Sequence, residues 1–143
     1  MPTYKFWGQH KHSLDSKHRV AIPAEFREAI GKEKVVIMES FDGCLQAFPE
    51  SEWEKLAEKK LAGLDFIESA EDLAIERKFF GSMAKCEMDK QGRVCLKPNH
   101  IKVAGIGKEV IFVGVRNRFE IWDLKRWNAY RAETKKREQA RQS

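Results

Sequence analysis

One stretch of this chain occurs twice, and the duplication restricts the possible folds more than any other feature. His-Ser-Leu-Asp-Ser-Lys-His-Arg-Val-Ala-Ile-Pro at residues 12–23 is answered by Cys-Glu-Met-Asp-Lys-Gln-Gly-Arg-Val-Cys-Leu-Lys-Pro at residues 86–98. Asp15 and Arg19 return as Asp89 and Arg93, both displaced by 74 positions (89 − 15 and 93 − 19). Phe48 and Trp53 return as Trp122 and Trp127 at the same displacement. Phe26 and Val35 meet Ile101 and Val110 at 75, which predicts one inserted residue near Lys97. Two copies of a unit of roughly 45 residues imply a pseudo-twofold molecule with two similar loops, each bordered by strands and each ending in an arginine.

The 143 residues suit one body in which the two halves share a core, since neither half alone buries enough apolar surface. The expected organisation is a first repeat over 9–51, a helical linker over 52–82, a second repeat over 83–126, and a basic helix and tail over 127–143. Lys and Arg number 27 against 22 Asp and Glu, a net charge of +5 that favours a polyanionic partner without naming one. Three cysteines, Cys44, Cys86 and Cys95, show no C-x-x-C spacing, which argues against a disulfide framework or zinc ribbon and for a reducing cytoplasm. No apolar run approaches the ~18 residues of a membrane span, and the first residues lack a signal-peptide core. The expectation is a soluble protein retained in the cell, with no membrane partner.

Tyr4, Phe6 and the segment from His10 to Leu14 alternate as a strand does, and Val20 and Ile22 resume the alternation after 15–19, which reads as a hairpin. Pro23 opens a short helix with Phe26 and Ile30 on one face and Gly31 as its stop. Strands follow at 35–38 and 44–48, turned at Gly43. Ser51-Glu-Trp-Glu54 has the form of a capping box, opening a helix that buries Trp53, Leu56 and Leu61 and breaks over 63–66. Ser69 caps a further helix that turns Leu73, Phe79 and Phe80 to the core. The second unit repeats the first, with strands at 83–88, 94–96, 110–115 and 119–122 and a short helix from Pro98. A last helix from Leu124 carries Trp127 and Tyr130 on one face; beyond Tyr130 it has no large apolar residue, so the tail is expected to fray.

In each loop an aspartate opens five residues and an arginine closes them. An Asp side chain accepts backbone N–H groups two residues on, and the same carboxylate can hold a guanidinium. Lys17 and Lys90 add charge, and His18 and Gln91 can supply neutral hydrogen bonds. Gly92 suits a position of positive φ, where the first loop has His18, so the first turn is expected to be the more strained. Taken alone, such loops are either exposed ion pairs of little consequence or rigid arginine mounts facing phosphates and groove edges, since arginine forks onto phosphate oxygens or guanine O6 and N7.

The ordered set Asp-Ser-Lys-His-Arg, Val-Ala-Ile-Pro-Ala-Glu-Phe-Arg, Asp-Gly-Cys-Leu-Gln-Ala-Phe-Pro-Glu-Ser-Glu-Trp, Cys-Glu-Met-Asp-Lys-Gln-Gly-Arg and Val-Gly-Val-Arg-Asn-Arg-Phe-Glu-Ile-Trp resembles the MraZ family, bacterial regulators built from two SpoVT/AbrB-type repeats. The resemblance covers the chain to about Tyr130. It implies a mainly β fold with short helices (α+β), a swapped-hairpin AbrB-like β-barrel formed by two internal repeats in one chain. It also implies a ring-shaped homo-oligomer and sequence-specific binding to double-stranded DNA carrying short direct repeats, in the promoter of the division and cell-wall gene cluster that includes the regulator's own operon. The family's D-x-x-x-R signature falls on Asp15 and Arg19 and on Asp89 and Arg93. The expected DNA-binding set is Asp15, Lys17, His18, Arg19, Asp89, Lys90, Gln91 and Arg93, in the cytoplasm at the nucleoid. His18 stands where the family has glycine, and Val-Cys-Leu-Lys-Pro replaces a more apolar run.

Other signals carry less. His10 and His12 share a strand face without further ligands at metal spacing, which reads as a polar strand edge, and no cofactor is expected. Cys86 and Cys95 flank the second loop as strand cysteines, expected to be buried and inert. The aromatics Phe6, Trp7, Phe48, Trp53, Phe79, Phe80, Trp122 and Trp127 follow helix and strand spacing, which favours core or interface packing over base stacking. No nucleophile elbow or phosphate-cradling glycine loop is present, so an enzyme is not expected. The alternatives are a non-enzymatic protein-binding scaffold, acting through its basic tail, and an RNA-binding module.

Overall fold

The computed structural model describes residues 5–64, 67 and 69–142. Tyr4 and part of the expected break over 63–66 lie outside the described residues. The strands are β1 Gln9–Ser13, β2 Arg19–Ala21, β3 Val35–Glu39, β4 Leu45–Pro49, β5 Ala84–Cys86, β6 Arg93–Cys95, β7 Glu109–Gly114 and β8 Phe119–Asp123. The helices are α1 Ala24–Ile30, α2 Glu50–Leu61, α3 Ala70–Glu76, which continues into a π-helical turn over Arg77–Gly81, α4 Pro98–Ala104 and α5 Leu124–Gln142. The fold is mainly β with short helices, as the sequence predicts.

The repeats exchange strands. One antiparallel sheet runs β1-β7-β8-β4-β3-β5, so β1 of the first repeat borders β7 of the second, and β5 of the second borders β3 of the first. A pseudo-twofold axis therefore passes between β8 and β4. The remaining strands, β2 and β6, pair with each other as a two-stranded ribbon. The expected hairpin of 10–14 with 20–22 is opened by this exchange: its arms meet only at the loop, where the Asp15 N–H donates to the Arg19 carbonyl at 2.9 Å, and then each leaves for the other repeat. The ladder does not close into a ring of strands, since β1 and β5 remain sheet edges. Enclosure comes from packing of the ribbon, through Val20, Ile22, Val94 and Leu96, over the inner face of the sheet.

Period-two alternation sends side chains to both faces of the sheet, and both are buried. Val35, Ile37, Leu45, Ala47, Val110, Phe112, Phe119 and Ile121 face the ribbon in one central core. Phe6, Phe26, Phe112 and Phe119 form its aromatic centre, with neighbouring centroids 5.1–5.9 Å apart. Burying each such ring is worth roughly 1.5–3 kcal/mol, and the ring set draws on both repeats, so neither half keeps its core without the other. On the outer face α2 and the π turn cover Val36, Met38 and Phe48, while α5 covers Ile111, Val113 and Trp122. His10 and His12 lie at the β1 edge, edge-on to Phe26 and Phe112.

Several local expectations change. α1 and α4 have equal length and end at Gly31 and Gly105, both at positive φ, a displacement of 74 throughout (98 − 24 and 105 − 31). No residue is inserted near Lys97, which takes the N-cap position of α4. The ladders Val35↔Pro49 and Val110↔Asp123 are offset by 75 and 74 (110 − 35 and 123 − 49), so the extra residue lies between Gly105 and Val110. The true counterpart of Phe26 is His100, 1% exposed, whose Nε2 bonds the Ser82 carbonyl at 2.5 Å. A buried polar side chain in an apolar slot hid the register. Ser51 lies inside α2, so the capping box does not form; Glu33 Oε1 instead accepts the Ser51 N–H at 2.8 Å from 18 residues away. Ser69 caps α3 as expected, its hydroxyl accepting the Asp72 N–H at 3.1 Å. Phe80 and Trp7 are exposed, and α5 is helical to Gln142 where fraying was expected.

Candidate nucleic-acid interface

The two loops are built bond for bond alike. Asp15 Oδ1 accepts the Lys17 N–H at 2.9 Å and the Arg19 N–H at 2.8 Å, and Oδ2 accepts Arg19 Nε at 2.8 Å. Asp89 Oδ1 accepts the Gln91 and Arg93 N–H groups, both at 2.9 Å, and Oδ2 accepts Arg93 Nε at 2.8 Å. Each carboxylate thus meets donors that a tight turn would otherwise leave to water. The backbone bonds from Arg19 and Arg93 come first in holding Asp15 and Asp89 below the usual 3.8; desolvation opposes them, and the arginine side-chain bonds and the Lys17 and Gln91 backbone bonds outweigh it together with them. Both are ionised at neutral pH.

The ribbon sets the two arginines side by side. Arg19 lies opposite Cys95 and Ala21 opposite Arg93, so all four share one face, while Val20 and Val94 point into the core. The Leu96 N–H to His18 carbonyl bond at 2.9 Å and the Ile22 N–H to Gly92 carbonyl bond at 3.0 Å extend this pairing to the loop ends. Lys17, His18, Lys90 and Gln91 are exposed in the loops, and the Arg19 and Arg93 side chains are half-buried. The structure therefore brings all eight expected residues to the loops at the two ends of one ribbon. With Nε engaged, each guanidinium keeps its terminal Nη donors, the groups that fork onto a phosphate or a guanine edge.

A residue that sequence reasoning missed is Arg27. From α1 in the first repeat it donates Nη1 to the Gln91 carbonyl at 3.1 Å, and a Cβ on Gly92 would lie 2.2 Å from that same nitrogen. Gly92 sits at φ +75°, a conformation that favours glycine, with the Arg27 side chain lying over it. Its partner His18 sits at φ +62°. The residue 74 positions after Arg27 is Ile101, which packs into the core, so no arginine takes the corresponding place over the first loop. The difference between His18 and Gly92 was the available signal of a close approach.

Cys86 is buried, and burial pushes its thiol up; Cys44 is pushed up to about 12 for the same reason. Cys95 departs from expectation, since it is exposed on the ribbon with Sγ 3.5 Å from the Lys17 carbonyl. Among the described residues no His, Cys, Asp and Glu side chains are grouped to hold a metal, and no helix is long and apolar enough to cross a membrane.

A family model described as "MraZ protein, putative antitoxin-like" matches residues 6–76 and 79–143, one segment on each repeat. The chain belongs to the MraZ family. It is 47% identical over 126 residues to a Transcriptional regulator MraZ of Carboxydothermus hydrogenoformans, covering 87% of this chain and 85% of that one. MraZ proteins of Halothermothrix orenii and Acetivibrio thermocellus are 44% and 42% identical over 125 residues, with the same coverage of 87% and 85%. MraZ membership places the chain among transcriptional regulators and not among enzymes.

Proposed function

We propose that this MraZ protein regulates transcription by sequence-specific binding to duplex DNA through the ribbon face. The observation that carries this reading is the placement of Arg19 and Arg93 on one face of the β2–β6 ribbon, each fixed by its own aspartate. Lys17 and Lys90 add phosphate contacts, and His18 and Gln91 add neutral donors and acceptors near the base edges. One loop pair covers little DNA. Assembly into a ring-shaped homo-oligomer would align successive pairs on short direct repeats and raise avidity wherever repeat spacing matches subunit spacing. The family resemblance supports the promoter of the division and cell-wall gene cluster, including the regulator's own operon, as the target, with the protein acting in the cytoplasm at the nucleoid.

The decisive experiment is unbiased selection of bound duplexes from a random pool by the purified full chain. Enrichment of a short motif in direct repeats at constant spacing is expected. Recovery of no motif, or displacement of duplex by single-stranded RNA at equal concentration, would overturn the reading and favour the RNA-binding alternative.

A further inference from the structure

Each loop leaves one carbonyl outside its backbone pairing. The His18 N–H donates to the Asp15 carbonyl at 3.0 Å and the Gly92 N–H to the Asp89 carbonyl at 2.9 Å, the pattern of a three-residue hairpin loop whose last residue takes positive φ. The carbonyls just before those last residues belong to Lys17 and Gln91, which stand 74 apart (91 − 17). No backbone N–H among the described residues reaches either of them.

What does reach them differs between the loops. The Gln91 carbonyl accepts Arg27 Nη1 at 3.1 Å, from α1 of the other repeat. The Lys17 carbonyl accepts the Cys95 thiol at 3.5 Å, from β6 of the other repeat. Both holds cross between repeats, yet neither is duplicated: the counterpart of Arg27 is Ile101, packed on the core, and that of Cys95 is Ala21, which has no side-chain donor. A guanidinium bond is roughly twice as strong as a neutral one, whereas a thiol is a weak donor. The strong hold therefore falls on the second loop. That loop also needs it more, because Gly92 is the residue freest to leave its conformation, whereas the Cβ of His18 narrows the choice in the first. Gly92 is buried beneath Arg27, and His18 is exposed.

We propose that Arg27 is a positioning residue for DNA recognition: by tethering the Gln91–Gly92 peptide to α1 of the other repeat, it fixes the direction in which the next residue, Arg93, presents its Nη donors. It acts through Arg93 and on the second loop alone. This deepens the proposed function and rests on its reading of the ribbon as the DNA-binding face.

The test uses the purified full chain, the duplex enriched from the random pool and a scrambled duplex of equal length, and reads the ratio of the two affinities by fluorescence anisotropy. Arg27→Ala is expected to lower that ratio about tenfold, by misplacing a forked base contact. The log–log salt slope, which counts neutralised phosphates, should stay as in wild type. Urea unfolding controls for folding, and Arg27→Lys, which can still bring a charged donor to the carbonyl, should recover most of the ratio. Added to Arg93→Ala, Arg27→Ala should cost little more; added to Arg19→Ala, it should keep its full effect. An unchanged ratio in folded Arg27→Ala, or full additivity with Arg93→Ala, overturns the positioning role while leaving DNA binding by the ribbon standing. A slope shallower by about one phosphate overturns it in favour of a direct phosphate contact. A wild-type chain that prefers no duplex overturns the DNA-binding reading and the positioning role with it.

Discussion

Arg93 Nη1 of the second loop lies 3.9 Å from Asp15 Oδ2 of the first, the same oxygen that accepts Arg19 Nε at 2.8 Å. One carboxylate thus orients arginines from both repeats. Asp89 pairs at short range with Arg93 alone. The two loops are chemically alike but linked through Asp15, which makes them one structural unit with a built-in asymmetry.

Asp15→Asn is therefore expected to weaken specific DNA binding about tenfold or more, even though it raises the net charge by one. The amide loses the ionic hold on two guanidinium groups, and positioning matters more than charge for a forked contact. Titration of the variant against operator and random duplexes checks this; a uniform rise in affinity for both would show that Asp15 mounts nothing.

On the proposed reading, Arg19→Ala and Arg93→Ala each remove a donor whose forked contact to a base pair would be worth about 1–3 kcal/mol of discrimination. Specific binding is expected to fall about tenfold or more in each variant, with oligomer mass unchanged. Wild-type binding is also expected to weaken steeply with salt, with a log–log slope of about −0.9 per neutralised phosphate. A flat salt response measured by fluorescence anisotropy would remove phosphate contacts from the mechanism.

The loops should respond differently to matched substitutions. His18→Gly relieves a non-glycine residue at positive φ but adds unfolded-state freedom, two effects of about 1 kcal/mol that oppose each other, so unfolding in urea should barely shift. Gly92→Ala meets the Arg27 guanidinium as well as an unfavourable φ, and should cost more than about 1 kcal/mol. Arg27→Ala should recover part of that loss. Equal tolerance at the two positions would contradict the clamp.

Acid should loosen the loops. Asp15 and Asp89 titrate below the usual 3.8 in the folded chain. A carboxylate depressed on folding stabilises the native state above its unfolded value and loses that contribution as pH falls through its folded value. Amide exchange of Lys17, Arg19, Gln91 and Arg93 is expected to keep its protection through neutral and mildly acidic pH and to lose it below about 3.8. Loss of protection near pH 6 would point to a histidine and not to these carboxylates.

Glu33→Gln tests the distant cap on α2. Burial opposes ionisation of Glu33, yet the hydrogen bonds from Ser51 hold it below its usual value. Replacing the charged acceptor at a helix N-terminus should cost about 1 kcal/mol. A melting curve identical to wild type would mean that water caps α2 equally well.

The sequence alone determined what depends on near neighbours. Aspartate-to-backbone bonds two and four residues apart, the positive φ before each arginine, the short helix after each proline position and the alternation within strands are local, so their residue types announce them. The repeat also declared the pseudo-twofold before any contact was known. Only the tertiary structure decided which strands meet. Alternation in β1 shows which side chains are covered but not whether the covering strand is β2 or β7, because the backbone donors and acceptors of all strands are identical. The exchange of strands is what sets Arg19 beside Arg93 and carries Arg27 onto Gly92 across the repeats, whereas Glu33 reaches α2 through the β3–β4 hairpin within the first repeat. The repeat relates the two loops in sequence but does not say that they meet, and only the packing of one shared core brings them together.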